Sequence, residues 1–166
     1  MMPGYVLNGG IKIHAVSYAP YLRRSSERLC VCVGSLLMMP QTHSSAAAPP
    51  EEQAYSHAVE ANGFLFTAGQ VPMTSDGELV EGTVTEKTHQ IMENLAGILD
   101  EADLDFADVV KTTAYFTDID DFETLDQAYE EYFDDGYPAR DVIEVEALPG
   151  GASIELVMVC AIDTDD

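Results

Sequence analysis

The feature that most constrains this chain is a helical stripe bracketed by short strands. Thr83 stands three residues before Glu86, the spacing at which a hydroxyl and a carboxylate reciprocally satisfy the free backbone donors of a helix start. Ile91, Leu95, Ile98 and Ala102 then recur on one face, predicting a helix that ends near Asp103. Such a stripe needs an apolar layer to cover, and the flanking sequence supplies strands. Residues 55–59 and 64–68 are short apolar segments joined by Asn62 and Gly63, the pair that suits a type I′ turn, so they read as a β-hairpin. A second turn falls at Ser75, Asp76 and Gly77.

Residues 109–116, rich in β-branched and aromatic side chains, predict a third strand. Asp120 is placed to cap a second helix with Glu123 at its third position, and Phe122, Leu125, Tyr129 and Tyr132 repeat at helical spacing until Pro138 closes the element. Residues 141–145 and 153–162 complete the set as strands. The order β, β, α, β, α, β, β predicts an α+β fold: one mixed sheet with both helices packed on one face. The other face is left bare, so a homo-oligomer that closes sheet against sheet is expected.

Charge divides the chain near Pro49. In residues 1–48, Lys12, Arg23, Arg24 and Arg28 stand against Glu27, whereas Lys87, Lys111 and Arg140 stand against the other 29 of the chain's 30 acids. The chain's net charge of −23 comes entirely from residues 49–166, residues 1–48 being net basic. So acidic a domain repels itself, which is tolerable where molar salt shortens screening to about 3 Å. A salt-adapted cytosol is one reading, and an ordinary acidic protein kept soluble by its charge is the other. Either disfavours nucleic acid, whose phosphates supply most non-specific affinity.

Residues 1–48 have no clear helical or strand period and read as an extension to a domain spanning 49–166. Arg23 and Arg24 before the apolar run 29–39 resemble an export signal, though that run is too short to span a membrane. A true start at Met38 or Met39 and a disordered arm are the competing readings. None of the three places chemistry there. Cys30 and Cys32 lie in the extension and Cys160 stands alone in an apolar strand, so cysteine usage fits a reducing, cytoplasmic setting without disulfides. His57 and His89 lack partners at ligand spacing, and no metal is expected.

From Ala54 to Asp163 the chain carries Tyr55-Ser56-His57-Ala58-Val59, Thr67-Ala68-Gly69-Gln70-Val71-Pro72, Glu93-Asn94-Leu95, Val110-Lys111-Thr112-Thr113, Pro138-Ala139-Arg140 and Ser153-Ile154-Glu155. In order and spacing these resemble the reactive intermediate deaminase family, also called RidA or YjgF. The resemblance implies a chorismate-mutase-like fold, a homotrimer with sites at the subunit interfaces, and hydrolysis of enamines and imines such as 2-aminoacrylate to 2-keto acids and ammonia. It implies no cofactor. Carried over by position, it makes Arg140 the partner of the substrate carboxylate and Glu155 the group that positions or activates water. Gly69 offers backbone, Tyr55 lines the pocket, and Val142 stands at the pocket wall where the family often has cysteine.

Those roles are chemically coherent. A guanidinium fork binds a carboxylate through two hydrogen bonds and so fixes the neighbouring C=N carbon. A protonated imine is already electrophilic, leaving the enzyme to orient it, deliver water and manage protons. The bland readings are a surface salt bridge for Arg140, a solvated strand residue for Glu155 and plain core for Tyr55. Three departures from the family pattern stand out: Gln53-Ala54 in place of Gly-Pro, Val142, and Asp126 where the second helix usually carries asparagine. Asp141 follows Arg140 directly, but strand alternation should turn it to the opposite face. A guanidinium tied up by a neighbouring aspartate, or facing bulk solvent far from any subunit contact, would require the hydrolase reading to be abandoned. The same pocket could also serve a regulatory module that binds small metabolites without turnover, or a chaperone-like protein.

Overall fold

The computed structural model describes residues 39–51, 54–134 and 136–162. The chain divides into units 1–35 and 36–166, and every described residue lies in the second. The predicted extension therefore lies outside the described residues as far as position 38. Its last ten residues do not: Gln41–His43 form a strand, β1.

β1 pairs antiparallel with β2 (Ala58–Ala61), which turns into β3 (Phe64–Thr67). Asn62 and Gly63 both take positive φ, 54° and 78°, as the predicted tight turn requires. Helix α1 follows at Val84–Asp100, with the Thr83 and Glu86 capping box formed in both directions. It stops where Asp103 adopts φ 55° and Leu104 N–H donates to Leu99 O. β4 occupies the predicted span Val109–Phe116, α2 covers Phe122–Tyr129, β5 Ala139–Glu144 and β6 Ile154–Ala161.

The strand expected at 55–59 forms three residues later, at Ala58–Ala61, and the one expected at 141–145 forms at Ala139–Glu144. Asp120 does not cap α2. Asp118 instead accepts from Asp120 N–H and starts a 3-10 turn, Ile119–Asp121, that leads into the helix. β1 escaped prediction because three residues carry no period. Its structure comes from partners, with Gln41, Thr42 and His43 opposite Glu60, Val59 and Ala58. Residues 39–48 thus belong to the domain rather than to an extension ending at 48.

The sheet order is β1-β2-β3-β6-β4-β5, antiparallel except for the parallel β4/β5 pair. Alternation on β6 buries Ile154, Leu156, Met158 and Cys160 against Ile91, Met92, Leu95, Ile98 and Leu99 of α1, all fully buried. Both helices contribute to this one core, α2 through Leu125 and Tyr129. The result is the mixed α+β sheet with its helices on one face. On the other face Phe64 and Phe66 are exposed, as is Ile143 on β5. Burial pushes the Cys160 thiol up to about 12, with Asp108 adding to the shift, so it behaves as a small core residue. No helix among the described residues is long and apolar enough to cross a membrane.

Candidate active site

The predicted site residues fall into two groups on opposite faces of the sheet. Arg140 sits on β5 opposite Thr112 of β4, on the helix side. There α2 presents Phe122, Asp126 and Tyr129, which share a face at spacings of four and three. The guanidinium carbon lies 5.1 Å from the ring centroids of both Phe122 and Tyr129. Its Nη2 donates to Asp126 Oδ1 at 2.6 Å. Tyr129 is held in turn, its hydroxyl 2.9 Å from Thr112 Oγ1 in the core, and burial raises its pKa. Arg140, Asp126 and Tyr129 border a cavity of about 220 Å³ completed by Glu130, Tyr137 and Pro138.

The aspartate that reaches Arg140 comes from α2 and not from the next position in the chain. Asp141 alternates to the opposite face, as expected, and its carboxylate takes Lys111 Nζ at 2.6 Å. Asp126 is thus a neighbouring aspartate paired with the guanidinium, the arrangement named above as counting against the hydrolase reading. The pair uses one of the five N–H donors of the fork. The arginine side chain keeps 21% of its surface exposed.

The second group gathers around Glu155. On β6 its neighbours Ile154 and Leu156 enter the core, so Glu155 projects to the other face, opposite Tyr115. β3 leaves the regular ladder here. Thr67 Oγ1 accepts from Met158 N–H at 2.9 Å, and Gln70 exchanges two backbone bonds with Leu156 at 2.9 and 3.0 Å. Gly69, held between them, lies directly against the Glu155 side chain. Burial raises the pKa of Glu155, because a carboxylate with few water neighbours resists ionisation.

Tyr55, Gly69, Gln70 and Glu155 border a cavity of about 530 Å³ whose rim includes Pro49 and Pro149. Its floor loop is fixed from behind: Asn94, fully buried on α1, donates to Met73 O at 2.9 Å and to Val71 O at 3.4 Å. His57, beside Tyr55, accepts from Ser45 N–H at 3.0 Å and donates to Pro49 O at 2.7 Å, which ties the segment after β1 to this rim.

Val142 does not belong to either cavity. It shares the face of Arg140 one strand period on, beneath the helices, and packs against the core opposite Ala114. Three residues that build the site, Asn94, Phe122 and Tyr129, were visible in sequence only as motif or core positions, because their roles depend on contacts from distant elements.

Residues 45–162 match the family model described as Endoribonuclease L-PSP. The human 2-iminobutanoate/2-iminopropanoate deaminase is 42% identical over 117 residues, covering 70% of this chain and 85% of that protein. A RutC family protein of Pyrococcus abyssi is 41% identical over 110 residues, 66% of this chain and 87% of its own length. A crystal structure of E. coli TdcF with bound serine superposes with a TM-score of 0.70 at 28% identity, covering 74% of this chain and 99% of that one. With the fold, the motif residues and these relatives in agreement, the chain belongs to the RidA/YjgF family.

Proposed function

We propose that this protein hydrolyses small 2-imino acids and their enamine tautomers to 2-keto acids and ammonia. The site would form where Arg140 of one subunit meets Tyr55, Gly69 and Glu155 of the next in a homotrimer. The observation that carries this reading is the division of the site residues into two half-sites whose linings share no residue. One holds the acid-binding cation, and the other holds Glu155, a motif carboxylate that burial has made more basic. Neither half is sufficient alone. The exposed Phe64 and Phe66 on the sheet face of Glu155 give that face a reason to be covered by another copy. The relatives named as deaminases support the chemistry.

In this scheme Arg140 holds the substrate carboxylate and places C2 of the iminium near Glu155. The Glu155 carboxylate removes a proton from water as the oxygen bonds to C2, giving a tetrahedral amino alcohol. Glu155 gives that proton to nitrogen and, as the C–N bond breaks, takes the hydroxyl proton so that C=O forms; the keto acid and ammonia leave, and the proton from the iminium charge is released to solvent. The chain's own residues supply every group this needs. Asp126 does not remove the basis for the reading, since a single hydrogen bond leaves the rest of the guanidinium fork for a substrate acid. The setting proposed is the cytosol, with the acidic surface an adaptation to salt.

The test couples a threonine dehydratase to this protein and follows 2-keto acid release. Acceleration that disappears in Arg140→Ala and in Glu155→Ala, and returns when the two variants are co-assembled, supports a shared site. No acceleration by the native protein, with ligand binding retained, would move the reading to a regulatory module that binds without turnover.

A further inference from the structure

The surroundings of Arg140 are more acidic than an anion site requires. Among the described residues, its cavity is lined by one cation, Arg140, and two acids, Asp126 and Glu130. Asp126 touches the guanidinium and is itself about half exposed, 46%, at the cavity. Phe122 and Tyr129 flank the guanidinium and keep it at the strand edge, so the carboxylate beside it is a fixed neighbour of whatever acid the arginine binds.

A ligand bearing only a carboxylate meets net repulsion in such a cavity. One that carries a positive nitrogen next to its carboxylate can pair both charges at once. We propose that Asp126 is a specificity-determining residue that makes the Arg140 site select zwitterions, the iminium or ammonium forms of 2-amino and 2-imino acids, over 2-keto acid anions. This rests on the reading of Arg140 as the acid-binding group. Its consequence is directional: hydrolysis converts a zwitterion into a mono-anion, so the product is expelled by the charge that helped to hold the substrate.

L-Alanine and pyruvate form a matched pair for the test, alike in size and differing in the nitrogen. Binding to the full chain is measured by calorimetry for the native protein, Asp126→Asn and Asp126→Glu. The native protein should bind alanine more tightly than pyruvate. Asp126→Asn should tighten pyruvate and weaken alanine, each by about fivefold, the scale of a partly exposed charge pair. Asp126→Glu should keep the native order.

A general loosening of the site cannot produce opposite shifts in the two ligands. Equal affinities for both in the native protein, absence of alanine binding, or a shift of both ligands in the same direction in Asp126→Asn would overturn the proposal. Failure of the hydrolase reading is separate: it appears as absent imine turnover by the native protein while the alanine and pyruvate discrimination persists.

Discussion

Gly69 and Glu155 occupy one another's space: a methyl group on Gly69 would lie 2.6 Å from Glu155 Cδ and 3.0 Å from its Cγ. The glycine is therefore required by the carboxylate, which could not hold its position beside any side chain. Gly69→Ala should displace Glu155 and lower imine turnover at least about tenfold at little cost in stability, because the displaced atoms are the free end of a flexible side chain. Coupled keto-acid release and a denaturant melt on the same sample separate the two effects. Unchanged turnover would remove Glu155 from its assigned place.

Tyr129 does two things that substitution can divide. Tyr129→Phe keeps a ring beside the guanidinium but leaves the buried Thr112 hydroxyl without its partner, which should cost about 1–3 kcal/mol of stability with little loss of turnover. Tyr129→Leu should also free Arg140 from one of its flanking rings and so raise KM. Chemical denaturation and steady-state kinetics on both variants check the split.

The exposed ring of Phe66, on the sheet face that carries Glu155, is expected to lie in the contact between copies. Phe66→Asp should yield a monomer by light scattering that retains its far-ultraviolet circular dichroism and has lost imine turnover. A trimer of native size would place the subunit contact elsewhere.

The burial of Glu155 sets a pH dependence of known sign. Its folded pKa is raised above the ordinary carboxyl value of 4.5, so the folded state disfavours its charge. The resulting penalty is absent below that value, grows as pH rises through the interval up to the raised pKa, and is constant above it. Glu155→Gln should thus melt higher than the native protein at neutral pH, with the difference vanishing in acid. Turnover by the native protein, needing the carboxylate, should fall off on the acid side above the usual carboxyl range.

Three local signals were legible to the residue. The Asn62-Gly63 turn, the Thr83 and Glu86 box and the strand at Val109–Phe116 each depend on neighbours a few positions away, and each formed where the pattern put it. β1 was not legible, since its three residues are a strand only through β2. Asp120 lost the cap to Asp118 because a 3-10 turn precedes α2. The motif residues Tyr55, Gly69 and Glu155 come together in one cavity. The contact of Arg140 with Asp126 joins positions 14 apart through the crossover from β4 to β5, which only the packed helix determines. Val142 has the period of Arg140, and the layer above it at that point is core, a placement that likewise depends on the packed helix.

The short β1 has a practical corollary for anyone shortening the gene. A recombinant form beginning at Pro49 would strip β2 of its neighbour, leaving an open row of amides and carbonyls at the margin of the sheet, and would deprive buried His57 of the Ser45 amide. Such margins recruit other chains, so that form should precipitate or self-associate indiscriminately where one retaining residues 39–48 stays well behaved.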